Sequence, residues 1–229
     1  MTLLINKDFV CHDIQVTVAL PESYDFKKSY PVVFLNDGQL DYLGKLADSV
    51  ILVGLKPQNR LDDFTPWKAQ ALRPGSPDFG GKLASYHDHL FGYIFKSIAQ
   101  EFRLDESRMA YGGYSLGGLA AISSLYSSDR MPLIFSICGS FWYPDFVAYC
   151  QSHQLFNRSC SVYLCNGLTE GANHKNRLVK APSFAKEVHG CIKKQCLSTY
   201  SAFDPYGHHD NLQERYDGFS DWLIEEWKL

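Results

Sequence analysis

The sequence predicts an α/β protein built on a mostly parallel sheet. Three observations carry that prediction. Short apolar runs without alternation recur along the chain, as in strands buried on both faces. Segments with apolar residues in helical spacing lie between them, and strand-like and helix-like segments alternate to the end. A strict two-residue alternation marks one early segment, Ile14, Val16, Val18 and Leu20, which predicts a half-buried antiparallel strand at the N-terminal side.

The buried runs follow in order at residues 32–35, 50–53, 109–111, 133–137 and 162–164, with a weaker one at 198–203. Leu90, Ile94, Ile98 and Phe102 recur every four residues and predict a helix. Residues 116–126, rich in Leu, Ala and Gly, predict a second. Leu212, Tyr216, Phe219 and Leu223 predict a third near the C-terminus. Residues 56–82 are rich in Pro, Gly, Asp and Asn and have no period. A loop of that length inside a compact domain is usually functional, so it is expected on the substrate side. Nothing marks an interdomain linker, and residues 1–229 are expected to form a single domain.

Composition narrows the function. The 229 residues are 45% hydrophobic and 21% charged, which is ordinary globular usage and excludes a disordered, collagen-like or coiled-coil chain. The net charge of −3 offers no basic footprint for nucleic acid. Aromatics reach 14%, enough for a thick core and an apolar pocket. The seven cysteines are an odd number with no CxxC, and most sit in apolar runs. They are expected to be core thiols in a reducing compartment. The N-terminal apolar stretch is too short for a signal peptide, and no run approaches the roughly 18 apolar residues of a membrane span. These features predict a cytoplasmic protein with neither membrane nor nucleic-acid partners.

The sharpest motif is Gly113-Tyr114-Ser115-Leu116-Gly117, a G-x-S-x-G with Gly112 before it and Gly118 after it. A serine on a tight strand-to-helix turn takes a strained conformation, and its neighbours must be small. The turn lifts the hydroxyl above the sheet edge and sets the Leu116 N–H at a helix N-terminus. About 0.08 such matches are expected by chance in this length, and the flanking strand and helix supply the required context.

A serine nucleophile needs a base, and in the α/β-hydrolase chain order the acid and then the histidine follow it. His208 and His209 lie after the last strand and before the last helix, in Asp204-Pro205-Tyr206-Gly207-His208-His209-Asp210. Sequence physics hardly separates the two. His189 falls on a predicted helix beside Gly190 and reads as exposed. The acid is expected after residues 162–164, where Glu170 is the carboxylate in the turn; Asp204 and Asp210 are the alternatives. His87-Asp88-His89 does not read as a metal pair, because residues two apart do not share a helix face. No G-x-G-x-x-G follows the first parallel strand, which disfavours a nicotinamide enzyme.

These places together resemble the putative-esterase family, the esterase D-like and enterochelin esterase-like group of α/β-hydrolases. Residues 33–39, Val-Phe-Leu-Asn-Asp-Gly-Gln, resemble its Asp-Gly-Gln segment. Arg60 with Phe64-Thr65-Pro66-Trp67 resembles its arginine and Tyr-Thr-Pro loop. Phe79-Gly80-Gly81 with Tyr86 resembles its Gly-Gly turn, and Gly139-Ser140-Phe141-Trp142 its Ser-x-Ser-Phe-Trp. Asn36 stands where the family usually has a hydrophobic residue, and a doubled histidine replaces a single one.

The resemblance implies a three-layer α/β-hydrolase sandwich with a mostly parallel sheet and an antiparallel N-terminal strand. It implies a serine esterase with Ser115 as nucleophile, Glu170 as acid, and oxyanion donors at the Leu116 and Gln39 N–H groups; the alternatives are an acyltransferase of the same fold and a non-catalytic hydrolase-fold binding protein. It favours His209 as base, although a plain Gly-His match favours His208. Phe141, Trp142 and Arg60 are the expected substrate contacts, on a small acyl, aryl or siderophore-type ester. No cofactor and no metal are expected.

Overall fold

The structure, a computed structural model, describes residues 5–229. Ten strands form in chain order: β1 (Ile5–Cys11), β2 (Ile14–Ala19), β3 (Tyr30–Asn36), β4 (Ile51–Pro57), β5 (Lys68–Ala69), β6 (Phe79–Gly80), β7 (Leu104–Tyr114), β8 (Leu133–Ile137), β9 (Ser161–Gly167) and β10 (Ser198–Asp204). The helices are α1 (Arg60–Asp63), α2 (Leu83–His89), α3 (Phe95–Glu101), α4 (Leu116–Ser124), α5 (Phe146–Ser152), α6 (Ala181–Lys193) and α7 (Leu212–Trp227). Eight strands make the main sheet in the order β1-β2-β4-β3-β7-β8-β9-β10. β2 is antiparallel to both neighbours, and every pairing from β4 through β10 is parallel. This is the α/β-hydrolase arrangement, with its antiparallel start.

β1 is a strand that the hydrophobic pattern does not announce. It pairs with β2 through His12 and Asp13, both at positive φ (49° and 63°), as a tight type I′ connection demands.

The two faces of the sheet carry separate cores. In β3, Val32 and Phe34 join the cluster that holds Leu83, Ile94, Leu119, Phe146 and Val188 from α2 through α6. Val33 and Leu35 point the other way, into a cluster with Leu43 and α7 residues Tyr216, Phe219 and Leu223. The period-two alternation of a strand therefore distributes a continuous apolar run between two helical layers.

The helix predicted from Leu90, Ile94, Ile98 and Phe102 is present, with a π turn (Leu90–Ile94) between α2 and α3. Four-residue spacing drifts about 40° per step on a 3.6-residue helix, and a wider turn absorbs part of that drift. Residues 56–82 are more structured than expected: they contain α1 and the small antiparallel β5–β6 pair. Thr65 Oγ1 donates to the Leu61 carbonyl (2.7 Å) and accepts from the Gly81 N–H (3.0 Å), which ties the segment to itself. Trp67 Nε1 donates to the Pro144 carbonyl (3.0 Å), and Tyr143 OH donates to the Trp67 carbonyl (2.5 Å), which ties it to the loop between β8 and α5. No helix among the described residues is long and apolar enough to cross a membrane.

Candidate active site

The C-terminal ends of β3, β7, β9 and β10 supply the polar side chains, as open α/β sheets generally do. β7 ends at Tyr114, and Ser115 follows with φ 57° and ψ −119° before α4 begins. That conformation is strained for a side-chain-bearing residue and holds only under tight packing. The glycines permit it: a Cβ on Gly113 or Gly117 would lie 2.8 Å from the Asn36 Cβ.

Ser115 Oγ lies 3.0 Å from His208 Nε2, and His208 Nδ1 lies 2.7 Å from Glu170 Oε2. Glu170 is 3% exposed. It also accepts from the Gly167 N–H (2.7 Å) and the Asn166 amide (3.0 Å), both at the end of β9. Burial opposes its charge, but the His208 and backbone donors outweigh that and hold its pKa below the ordinary glutamate value. The Glu170 carboxylate, the His208 ring and the Ser115 hydroxyl thus lie in one hydrogen-bonded line. Ser140 Oγ, fully buried, lies 3.1 Å from the Ser115 hydroxyl on its other side.

The preference for His209 does not fit the geometry. His209 Nδ1 bonds the Tyr114 hydroxyl (2.8 Å) and the residue is exposed, while its neighbour occupies the space between Ser115 and Glu170. Arg215 of α7 explains the choice. Its guanidinium bonds both oxygens of Asp204 (2.6 Å each) and the carbonyls of Gly207 (3.0 Å) and His208 (3.3 Å). Tyr114 OH holds the same His208 carbonyl (2.8 Å). The turn is pinned by its backbone, and the pinned conformation aims His208 inward.

Other expectations fare unevenly. Trp142 lines a cleft of about 440 Å³ with Ser115, His208, Arg73, His174 and Leu178. Phe141 does not: it is 1% exposed and stacks on Phe146 at 5.9 Å inside the core. Arg60 is also absent from that cleft. Its fork grips Asp37 (2.8 and 2.9 Å) beside a second depression, which Gln39 and Tyr114 also line. Asp37 and Gly38, at φ 66° and 71°, turn the chain after β3 so that Gln39 starts a 3₁₀ segment (Leu40–Leu46). Leu116 is the first residue of α4, so its N–H lacks an intrahelical acceptor. His189, expected on the surface, is 3% exposed.

His87 and His89 part company, the first buried against Tyr111 and the second stacked on His12 at 4.2 Å. Among the described residues, one metal-capable set converges, Cys138, Glu170 and His208. Its members are already engaged: Arg215 Nη1 lies 2.7 Å from Cys138 Sγ, and burial raises that thiol's pKa away from the thiolate a metal takes.

A family model described as putative esterase matches residues 10–222. The chain belongs to the putative esterase family. The protein is an esterase, with a hydroxyl, an imidazole and a carboxylate aligned at the cleft floor. Among relatives, it is 26% identical to YbbA, an uncharacterized protein of Bacillus subtilis (strain 168), over 90% of this chain and 91% of that one. Its fold is similar to an IroE-like serine hydrolase from Shewanella oneidensis, with a TM-score of 0.78 and 20% identity over 93% of this chain and 76% of that one. It is similar again to the siderophore hydrolase EstA from Aspergillus nidulans, with a TM-score of 0.72 and 15% identity, covering 93% and 90% of the two chains.

Several residues around these groups carry no mark of their own in the sequence of the esterase. Ser140 lies inside the Gly139–Trp142 segment and Tyr114 inside the serine motif. Asn166 and Arg215 carried no signal, since their partners come from other elements.

Proposed function

We propose that the esterase hydrolyses its substrate through a Ser115–His208–Glu170 triad and an acyl-serine intermediate. The observation that carries this reading is the line of two hydrogen bonds, 3.0 and 2.7 Å, joining the three side chains. Ser115 Oγ attacks the ester carbonyl while His208 Nε2 takes its proton. Glu170 keeps the proton of His208 on Nδ1 and stabilises the imidazolium. The Leu116 and Gln39 N–H groups receive the oxyanion. The C–O bond then breaks, and His208 delivers its proton to the leaving alcohol. Water, deprotonated by His208, attacks the acyl-serine and returns the hydroxyl to Ser115.

The substrate is a small acyl, aryl or siderophore-type ester. The cleft supports that class by combining Trp142, Leu178 and Ala181 with Arg73, Thr169 and His174, an apolar wall facing polar groups. The siderophore hydrolase likeness supports its inclusion in a screen. The seven free cysteines support a reducing, cytoplasmic setting, and the shared sheet supports one catalytic domain over residues 1–229.

The test is hydrolysis of p-nitrophenyl esters of graded chain length, aryl esters and a catecholate trilactone. Ser115→Ala and His208→Ala should each lose about 10⁴-fold or more in kcat, because triad members act as a unit. Undiminished activity in Ser115→Ala would defeat the mechanism. A larger loss in His209→Ala than in His208→Ala would move the base to His209.

A further inference from the structure

Glu170 is held from two directions. His208 lies on the side of the cleft, and a second buried histidine lies behind it. His189 of α6 reaches across to β9, where its Nε2 lies 3.0 Å from Asn166 Oδ1, and to β10, where its Nδ1 lies 2.8 Å from Ser201 Oγ. Asn166 is 1% exposed, and its amide passes the contact on to Glu170 Oε1 at 3.0 Å.

The proton positions in this chain follow from what each group can do. An ionised carboxylate only accepts, so Asn166 must present its NH₂ to Glu170. Its carbonyl oxygen then faces His189 and needs a donor, which only a protonated Nε2 supplies. Nδ1 of a neutral ring must accept, and the Ser201 hydroxyl donates to it. The surroundings keep the ring neutral. Phe203 of β10 lies 4.5 Å away and Phe141 meets it edge-on at 6.1 Å. Glu170 is the charged group that acts on it, and burial prevails, lowering the ring's pKa to about 3.

The consequence concerns the amide. With an apolar residue at 189, Asn166 Oδ1 would lose its donor inside the protein. The amide would then be held from the Glu170 side alone and would tilt toward another donor, loosening the bond that orients the carboxylate. We propose that His189, acting through Asn166, is a positioning residue that holds Glu170 in the orientation serving His208. Ser201 anchors the ring at its other nitrogen. This rests on the triad reading above and extends it by three residues.

The experiment titrates active serines with a fluorophosphonate probe and reports kcat per titrated serine for wild type, His189→Leu, His189→Gln and Ser201→Ala. Thermal unfolding is followed in parallel. His189→Leu should lose ~10- to 100-fold in kcat per titrated serine, the cost of a displaced supporting group, with KM changed less than about twofold. His189→Gln offers an amide N–H where Nε2–H stood and should recover most of that loss. Ser201→Ala should lose about threefold to tenfold, since the ring then loses its second anchor. It remains decisive if His189→Leu does not fold, because Ser201 lies on an exposed strand position.

Wild-type kcat per titrated serine in His189→Leu would overturn the proposal and leave His189 a packing residue. So would a folded His189→Gln as impaired as the leucine variant, or an unaffected Ser201→Ala. If wild type neither hydrolyses esters nor takes up the probe, the triad reading fails and this proposal with it. If wild type does both and the variants match it, this proposal alone fails.

Discussion

Two buried polar clusters lie near the Ser115 turn, and each pairs an asparagine with a buried histidine. Beneath α4, Asn36 at the end of β3 donates to the Tyr111 hydroxyl (3.0 Å) and the Gly117 carbonyl (2.8 Å), and accepts from Tyr86 (2.6 Å). His87 closes this cluster against Tyr111 at 3.3 Å. Beyond the serine, Asn166 at the end of β9 joins His189 to Glu170. Each cluster has a strand-end asparagine and a histidine whose pKa burial lowers to about 3. They differ in where they end. The first ends on a backbone carbonyl and phenols, which carry no charge, and it locks α4 to β3. The second ends on a carboxylate that touches His208. The Asn36 amide thus binds only a backbone carbonyl and phenols, while the Asn166 amide reaches a carboxylate.

The largest effect expected breaks the second cluster at its charged end. Glu170→Gln should lower kcat by about 10⁴-fold, because an amide cannot accept from His208, Asn166 and Gly167 together. Steady-state kinetics on a folded variant, verified by circular dichroism, checks this. A loss below tenfold would separate Glu170 from the reaction.

Acid tests what the clusters share. His87 and His189 have folded pKa values near 3 against about 6.5 when unfolded, so the unfolded chain binds protons first. Their contribution is complete above pH 6.5 and is lost as pH falls toward 3. Stability should fall by about 1.4 kcal/mol per pH unit for each histidine across that window. Glu170, also depressed, adds a loss at lower pH, below the ordinary glutamate value. Urea unfolding at pH 7 and 5 should show the slope, and His87→Gln should remove about half of it.

Asn36→Leu separates the clusters. It takes the asparagine partner from the Tyr86 and Tyr111 hydroxyls and a donor from the Gly117 carbonyl, and should cost about 1–3 kcal/mol in urea unfolding. The kcat per folded molecule should fall less than tenfold; a collapse of kcat with intact stability would make Asn36 site machinery after all. The smallest effect is expected outside both clusters. His209→Ala loses one exposed bond to Tyr114 and should change kcat less than about threefold.

Much of this was legible in the chain. Ser115 was readable because its requirements are local: small neighbours, a strand before and a helix after. Glu170 was readable from its place in a turn after an apolar run. The doubled histidine was not, since adjacent residues share every local signal. Arg215 and Tyr114, which decide between them, lie 7 and 94 residues from His208. His189 is not legible, because a histidine beside a glycine on an amphipathic helix looks solvated, and its partners Asn166 and Ser201 lie 23 and 12 residues away. Phe141 and Trp142 were equivalent as letters, and only the turn after β8 sent one into the core and the other to the cleft.

By itself the sequence determined the main sheet apart from β1, three of the helices and the serine on its turn. Hydrophobic period and glycine spacing act over a few residues and survive without tertiary context. The tertiary structure decided which histidine meets Ser115, which aromatic lines the cleft, and which buried asparagine serves the carboxylate. Those outcomes depend on hydrogen bonds between elements distant in sequence, and side-chain direction there is set by the partner rather than by the residue.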